Sequence, residues 1–178
     1  NPAIFGWAER FSHIRYIVSK DVWCRMRHIV SPTSVYSGPK IPAERVSVLR
    51  PGERYKDNLL TVVATPSTDT GNSYVIQTAD CRLFHAGDLN LWAWSDRMTP
   101  QEYRKALGDY NACLRDIRFA LDSLQSSTAD TISAQSAFDF NHAMFPIDPR
   151  LGQDKENGAD LFRAAFRLEH FHPMHYCI

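Results

Sequence analysis

Three short runs constrain the fold more than anything else in the chain: LLTVVAT (59–65), NSYVIQT (72–78) and CRLFHAG (81–87). Each is rich in β-branched or aromatic residues and is bounded by turn residues, the pattern of short strands. TADC between the second and third is a hairpin connection. The segment 99–125 then changes period. It opens on a Thr N-cap with Pro at the first helical position and Glu102 three residues on. Tyr103, Leu107, Tyr110, Leu114, Ile117 and Leu121 follow at three- and four-residue steps, which predicts a long amphipathic helix.

On either side the same alternation continues. AIFGWAERF after Asn1-Pro2 predicts a short helix, IRYIVS (14–19) a buried strand, KDVWCRMRH a helix, and SPTSVYSGPKIPAE a loop. VSVLRPGERY reads as a strand entering a Pro-Gly turn. Downstream, FNHAMFPI reads as a strand, DPRLGQD as a loop, NGADLFRAAFRL as a helix and HFHPMHYC as a closing strand. Strands alternating with helices around a hairpin-rich centre indicate a layered α/β or α+β fold. The 178 residues read as a single domain, with 95–137 a helical insertion followed by a polar, mobile connection (SSTADTISAQSA).

Charge narrows the classes of partner. The formal net charge is zero, so no global field calls for nucleic acid or an anionic membrane. Residues 1–56 carry ten Lys/Arg against four Asp/Glu, and the remainder is correspondingly acidic; two complementary halves or a basic binding face both fit. Cys24, Cys81, Cys113 and Cys177 are scattered without a CxxC pair and read as reduced, cytoplasmic thiols. No run of eighteen apolar residues occurs. The expectation is a cytoplasmic protein with a small-molecule substrate, no membrane contact, no nucleic acid, and the 99–125 helix available for homo-oligomer formation.

The chemistry-bearing residues gather around turns. Asp88 follows Gly87 directly after an apolar run, where a sheet holds a carboxylate rigidly at a strand end; an ordinary Gly-Asp turn is the competing reading. His85 alternates with core-facing residues and reads as structural. His170, His172 and His175 form HxHxxH, in which a strand puts the first two on one face and the third on the other. They make a poor local tripod, but Pro173 ends or bends the strand and frees His175 to meet Asp88 at a common rim. Asp148-Pro149-Arg150 is either a turn with a solvent Arg or a forked donor for carboxylate or phosphate. Ser67, Thr68 and Asp69 form a polar loop with the hydroxyl density of a substrate contact. Trp92 and Trp94 are packing residues or the wall of a pocket.

In sequence order these motifs resemble the metallo-β-lactamase superfamily of metal-dependent hydrolases. VVATPSTDTGNSYVIQTADCRLFHAGDLN is similar to that family's strand, loop, hairpin and metal-bridging Gly-Asp. DFNHAMFPIDPRLG is similar to its next core strand and loop, and NGADLFRAAFRLEHFHPMHY to its last helix, strand and Pro-Met-His. The nearest branch is that of lactonase-like hydrolases. The resemblance implies an αββα sandwich and a Zn, Mn or Fe site that activates water against a lactone, ester, amide or phosphoester. It carries Asp88 to the bridging carboxylate and His175 to the late His ligand. Ser67, Thr68, Asn90, Trp92, Asp148 and Arg150 become candidate substrate contacts.

Two departures qualify the implied function. The HxHxDH motif, which brings most of the family's ligands and its water-orienting Asp, is absent, so no catalytic residue is assigned. In the family it precedes a helix like NPAIFGWAERF, and the chain therefore reads as the C-terminal two-thirds of such a domain. The loop where many members place a further His reads TPSTD instead, leaving Asp69 as a possible substitute ligand. The expectations are a chain inactive by itself that binds metal weakly or not at all, or alternatively a degenerate domain that binds a ligand or partner without catalysis. A plain α/β domain with a coincidental Gly-Asp and His is the third reading.

Overall fold

The computed structural model describes residues 3–31, 33, 38–126 and 137–175. Backbone contacts divide the chain into two compact units, Asn1–Arg50 and Pro51–Ile178.

The first unit contains α1 (Ala3–Arg10), β1 (Tyr16–Ser19), α2 (Lys20–Ile29), a 3-10 turn (Ala43–Arg45) and β2 (Val46–Leu49). β1 and β2 pair in parallel from Tyr16↔Val46 to Ser19↔Leu49, as expected when a helix lies between two strands. Ser19 ends β1 and caps α2, its Oγ accepting from the Val22 amide at 3.1 Å. Phe5, Ala8, Tyr16, Val18, Met26 and Ile41 form a small core. Arg45 donates to the carbonyls of Ala8, Phe11 and Ser12, placing a cation at the C-terminal end of α1 where the helix dipole favours it.

The second unit holds β3 (Arg54–Lys56), β4 (Leu60–Pro66), β5 (Asn72–Thr78), β6 (Arg82–His85), α3 (Pro100–Ser126), β7 (Phe140–Pro146), α4 (Asn157–Ala165) and β8 (Leu168–Met174). Its six-stranded sheet has the order β3–β4–β5–β6–β7–β8. The first four strands form an antiparallel meander, and β7 and β8 then add parallel to β6. Each parallel addition requires a crossover, supplied by α3 and then α4. The protein is thus α+β, with antiparallel hairpins in the centre and helical crossovers after them.

α3 forms where the apolar period placed it. Thr99 and Glu102 make a reciprocal capping box: the Thr99 amide and hydroxyl donate to Glu102 Oε2 at 2.8 and 2.7 Å, and the Glu102 amide donates to Thr99 Oγ1 at 3.3 Å. Its inner stripe of Tyr110, Cys113, Ile117, Leu121 and Leu124 is buried against a sheet face carrying Val75, Phe84, Ala143 and Phe145. α4 contributes Phe162, whose ring stacks on Phe84 at 4.7 Å and packs 5.1 Å from Phe145. Residues 127–136 of the polar connection expected after α3 lie outside the described residues.

Two details differ from the sequence expectation. Within DPRLGQD, expected as a loop, Pro149–Asp154 forms a 3-10 helix capped by the Asp148 side chain. β8 does not end at Pro173 but continues through it to Met174, with Pro173 opposite Phe145. β8 is the last strand of the sheet, so a proline's missing amide forfeits no ladder bond on its outer side. The break comes one residue after the strand, at His175, whose φ is 61°.

Candidate functional site

Because β4, β6, β7 and β8 run in the same direction, their C-terminal ends share one rim of the sheet. In open sheets with parallel strands, ligands favour such a rim. Asp88 follows β6, Asp148 follows β7, His175 follows β8, and the Ser67–Gly71 loop follows β4.

The turn that aims Asp88 depends on Gly87. Its φ is 58°, and a Cβ there would lie 2.5 Å from the Asn72 carbonyl oxygen, so a side chain is excluded by both strain and space. The Gly87 amide donates to His85 Nδ1 at 3.0 Å. Burial pushes the His85 imidazole below its ordinary pKa; the Asp88 charge opposes that shift and His175 adds to it. His85 is thus a neutral, structural imidazole, with Nδ1 accepting and Nε2 protonated.

His175 closes the rim. Its left-handed backbone, uncommon for a residue with a side chain, sets the imidazole between two carboxylates. Nε2 is 3.6 Å from Asp88 Oδ1, and Nδ1 is 3.6 Å from Asp148 Oδ2. Asp148 is only 3% exposed and is gripped by Arg150, which donates from its amide and Nε to Oδ1 at 2.9 Å each and from Nη2 to Oδ2 at 2.6 Å. These bonds outweigh desolvation and hold the Asp148 carboxyl down at about 2. The Asp148-Pro149-Arg150 turn forms with the Arg150 side chain 66% exposed, its guanidinium forked onto the Asp148 carboxylate of its own turn.

The tryptophans fasten the rim loops. Trp92 Nε1 donates to the Asp88 carbonyl at 3.0 Å, and Trp94 Nε1 donates to the Arg150 carbonyl at 3.1 Å. The Arg150 guanidinium lies 5.4 Å from the centre of the Trp92 ring. Thr68, Asp69, Trp92, Trp94 and Arg150 line a cleft of about 320 Å³. Asp69 faces this cleft, its Oδ1 accepting from the Thr70 amide at 2.7 Å. Together with Asp148 and Asp88 it helps raise the Arg150 pKa.

One candidate contact is placed differently. Asn90 is fully buried, and its amide is used within the protein, donating to the Pro146 carbonyl and accepting from the Leu91 amide. Thr68 Oγ1 donates to the Asn90 carbonyl and accepts from its amide. Both thus tie the β4–β5 loop to the loop after Asp88. Ser67 Oγ accepts from the Asp69 amide at 3.2 Å and shapes the same loop.

The donors fall short of a metal centre. Asp148 is occupied by Arg150, and the tautomer of His85 turns its only lone pair to a backbone amide. Asp88 and His175 remain, two ligands where a catalytic zinc takes three from protein. Among the described residues, no group of three or more His, Cys, Asp or Glu is arranged to hold a metal ion. The residues present do not by themselves fit the implied metal.

Sequence reasoning missed a second cluster. His142 of β7 sits beside His170 and His172 of β8 on one sheet face. HxHxxH was visible, but nothing local revealed that the third imidazole would come from the neighbouring strand.

Among the described residues, no helix is long and apolar enough to cross a membrane. No family model, curated protein or solved structure matches the chain.

Proposed function

We propose that the chain is a metal-dependent hydrolase domain with the αββα sandwich of the metallo-β-lactamase superfamily. The convergence of Asp88, Asp148 and His175 from the ends of three consecutive parallel strands carries the reading. Asp88 and His175 would serve as two of the metal ligands, and by themselves they would hold an ion weakly. Asp148, locked by Arg150, orients the His175 ring in the manner of an outer-sphere carboxylate. The cleft of Thr68, Asp69, Trp92, Trp94 and Arg150 receives a small molecule carrying a lactone, ester, amide or phosphoester group. Cys24, Cys81 and Cys113 are free thiols, which supports a cytoplasmic setting.

The shortfall of donors favours one alternative: a domain of the same fold that binds a ligand in this cleft without turnover.

The two readings are separated by metal analysis of the protein, paired with a panel of lactone, ester and phosphoester substrates. The hydrolase reading expects bound Zn, Mn or Fe and turnover, both reduced by Asp88→Ala and by His175→Ala. Ligand binding without metal would leave the non-catalytic reading.

A further inference from the structure

We propose that the cleft of Thr68, Asp69, Trp92, Trp94 and Arg150 takes a small zwitterion, with an ammonium group for Asp69, a carboxylate for Arg150 and an apolar body against the tryptophans. The assignment rests on the reading of this cleft as the ligand site, whether or not the ligand is turned over.

Each charged group of the lining has one side engaged and one side open. Arg150 uses Nε and Nη2 on the Asp148 carboxylate. A guanidinium carries five N–H donors in a planar fork, so its Nη1–Nη2 edge still offers two parallel donors, the arrangement that grips a second carboxylate. The side chain is 66% exposed, and its place over the Trp92 ring, 5.4 Å from the centre, helps to fix the fork. Asp69 is exposed as well. Its Oδ1 is held by the Thr70 amide at 2.7 Å, while among the described residues no donor reaches Oδ2.

The two opposite charges do not close on each other. Both line a cleft of about 320 Å³, yet among the described residues no ion pair joins Asp69 to Arg150. Asp148 does most to raise the Arg150 pKa, and the Asp69 charge adds to it without contact. Opposite charges held apart in this way suit no singly charged ligand. An ammonium alone meets the guanidinium nearby, and a carboxylate alone meets Asp69. A zwitterion satisfies both, and complementary charge is what discriminates among ligands. The tryptophans supply the apolar part. Their indole N–H groups are engaged by the Asp88 and Arg150 carbonyls, so they offer a ligand ring surface and no donor.

The test is binding of two zwitterions, leucine and ε-aminocaproate, to the metal-free protein, read by calorimetry and by NMR shifts of the Trp92 and Trp94 indole N–H protons. They span a short and a long separation of charge. Each is compared with analogues lacking one charge: isocaproate and isoamylamine for leucine, caproate and pentylamine for ε-aminocaproate. At least one zwitterion should bind about 5-fold tighter than both of its analogues, the scale of a solvent-exposed ion pair, and high salt should shrink the advantage. Asp69→Asn keeps the Oδ1 acceptor of the loop, and in this variant the zwitterion should bind no better than its carboxylate analogue. Failure of both zwitterions to outbind their analogues, or an advantage that survives Asp69→Asn, would overturn the assignment. Neither metal nor turnover enters the measurement, so it can succeed where the hydrolase reading fails. Conversely, turnover of neutral lactones or esters by a protein without this charge preference would remove the zwitterion and leave the hydrolase.

Discussion

The imidazole of His175 stands 3.6 Å from the Asp88 carboxylate, although the strands that precede these residues are not neighbours: β7 lies between them and delivers Asp148 to the other side of the ring. A third titrating group, His85, reports on this pair. Asp88 raises its pKa and His175 lowers it, against a larger depression from burial. Asp88→Asn should therefore lower the His85 pKa further, and His175→Gln should raise it. An NMR titration of the His85 ring protons measures both, and shifts of the same sign in the two variants would contradict the geometry.

Acid stability should depend on Asp148. Arg150 holds its carboxyl at about 2, below the ordinary 3.8. A carboxylate depressed by folding contributes stability that is complete above its unfolded pKa and disappears as pH falls through the folded one. That contribution should fade between about pH 4 and pH 2. Arg150→Ala should shift the loss toward the ordinary carboxylate range, and Asp148→Asn should remove it. Urea melts between pH 2 and 6 distinguish the three proteins; identical acid limbs would show that the fork contributes nothing.

What could be read from sequence here followed chain-local physics. Thr99, Pro100 and Glu102 announce the start of α3 because a cap is made by residues three positions apart. The hairpin at Thr78–Cys81 is similarly local, with the Thr78 amide donating to the Cys81 carbonyl at 2.9 Å. Asp88 and His175 are recognisable as a pair because each lies just beyond a strand-like run. Asn90 shows the limit: its sequence position suggests a pocket group, yet its carboxamide donates to the Pro146 carbonyl at the end of β7 and its backbone bonds to Thr68 of the β4–β5 loop, and only tertiary packing decides that it is buried. The pairing of His142 with His172 is hidden for the same reason, since strand register across a crossover is set by the core and not by neighbours in sequence.

Gly158 should tolerate no side chain, even though it lies in a helix. A Cβ there would collide with the Asn90 side-chain oxygen and come within 2.8 Å of the Leu91 amide nitrogen. Alanine gains about 1 kcal/mol in intrinsic helix propensity over glycine, but overpacking against a backbone costs about 1–3 kcal/mol and here also breaks the Asn90 bonds. Gly158→Ala should therefore destabilise the protein by about 1–2 kcal/mol and loosen the loop after Asp88. Chemical denaturation gives the first effect, and amide exchange at Leu91 the second. A more stable variant would mean that the loop yields without cost.

The strongest stability effect outside the apolar core should come from Arg118. Its guanidinium forks onto Asp139 at 2.9 and 3.2 Å, donates to the Ala165 carbonyl at 2.8 Å and covers the Phe166 ring at 4.6 Å. The Asp139 side chain is 8% exposed. Burial alone would raise its pKa, but the Arg118 hydrogen bonds and the Arg167 amide bring it below the ordinary value. Removing one partner of a fully buried ion pair costs about 3–5 kcal/mol. The Arg118 side chain is 38% exposed, so solvent screening brings the expected cost of Arg118→Ala down to about 2–3 kcal/mol. Arg118→Lys should recover only part of it, because a point charge cannot make the fork. In Arg118→Ala the stability that Asp139 contributes above the carboxylate range should begin to fail at a higher pH than in the parent protein. Denaturation at pH 7 and pH 4 measures both effects, and a cost below about 0.5 kcal/mol at pH 7 would place this pair with ordinary surface ion pairs.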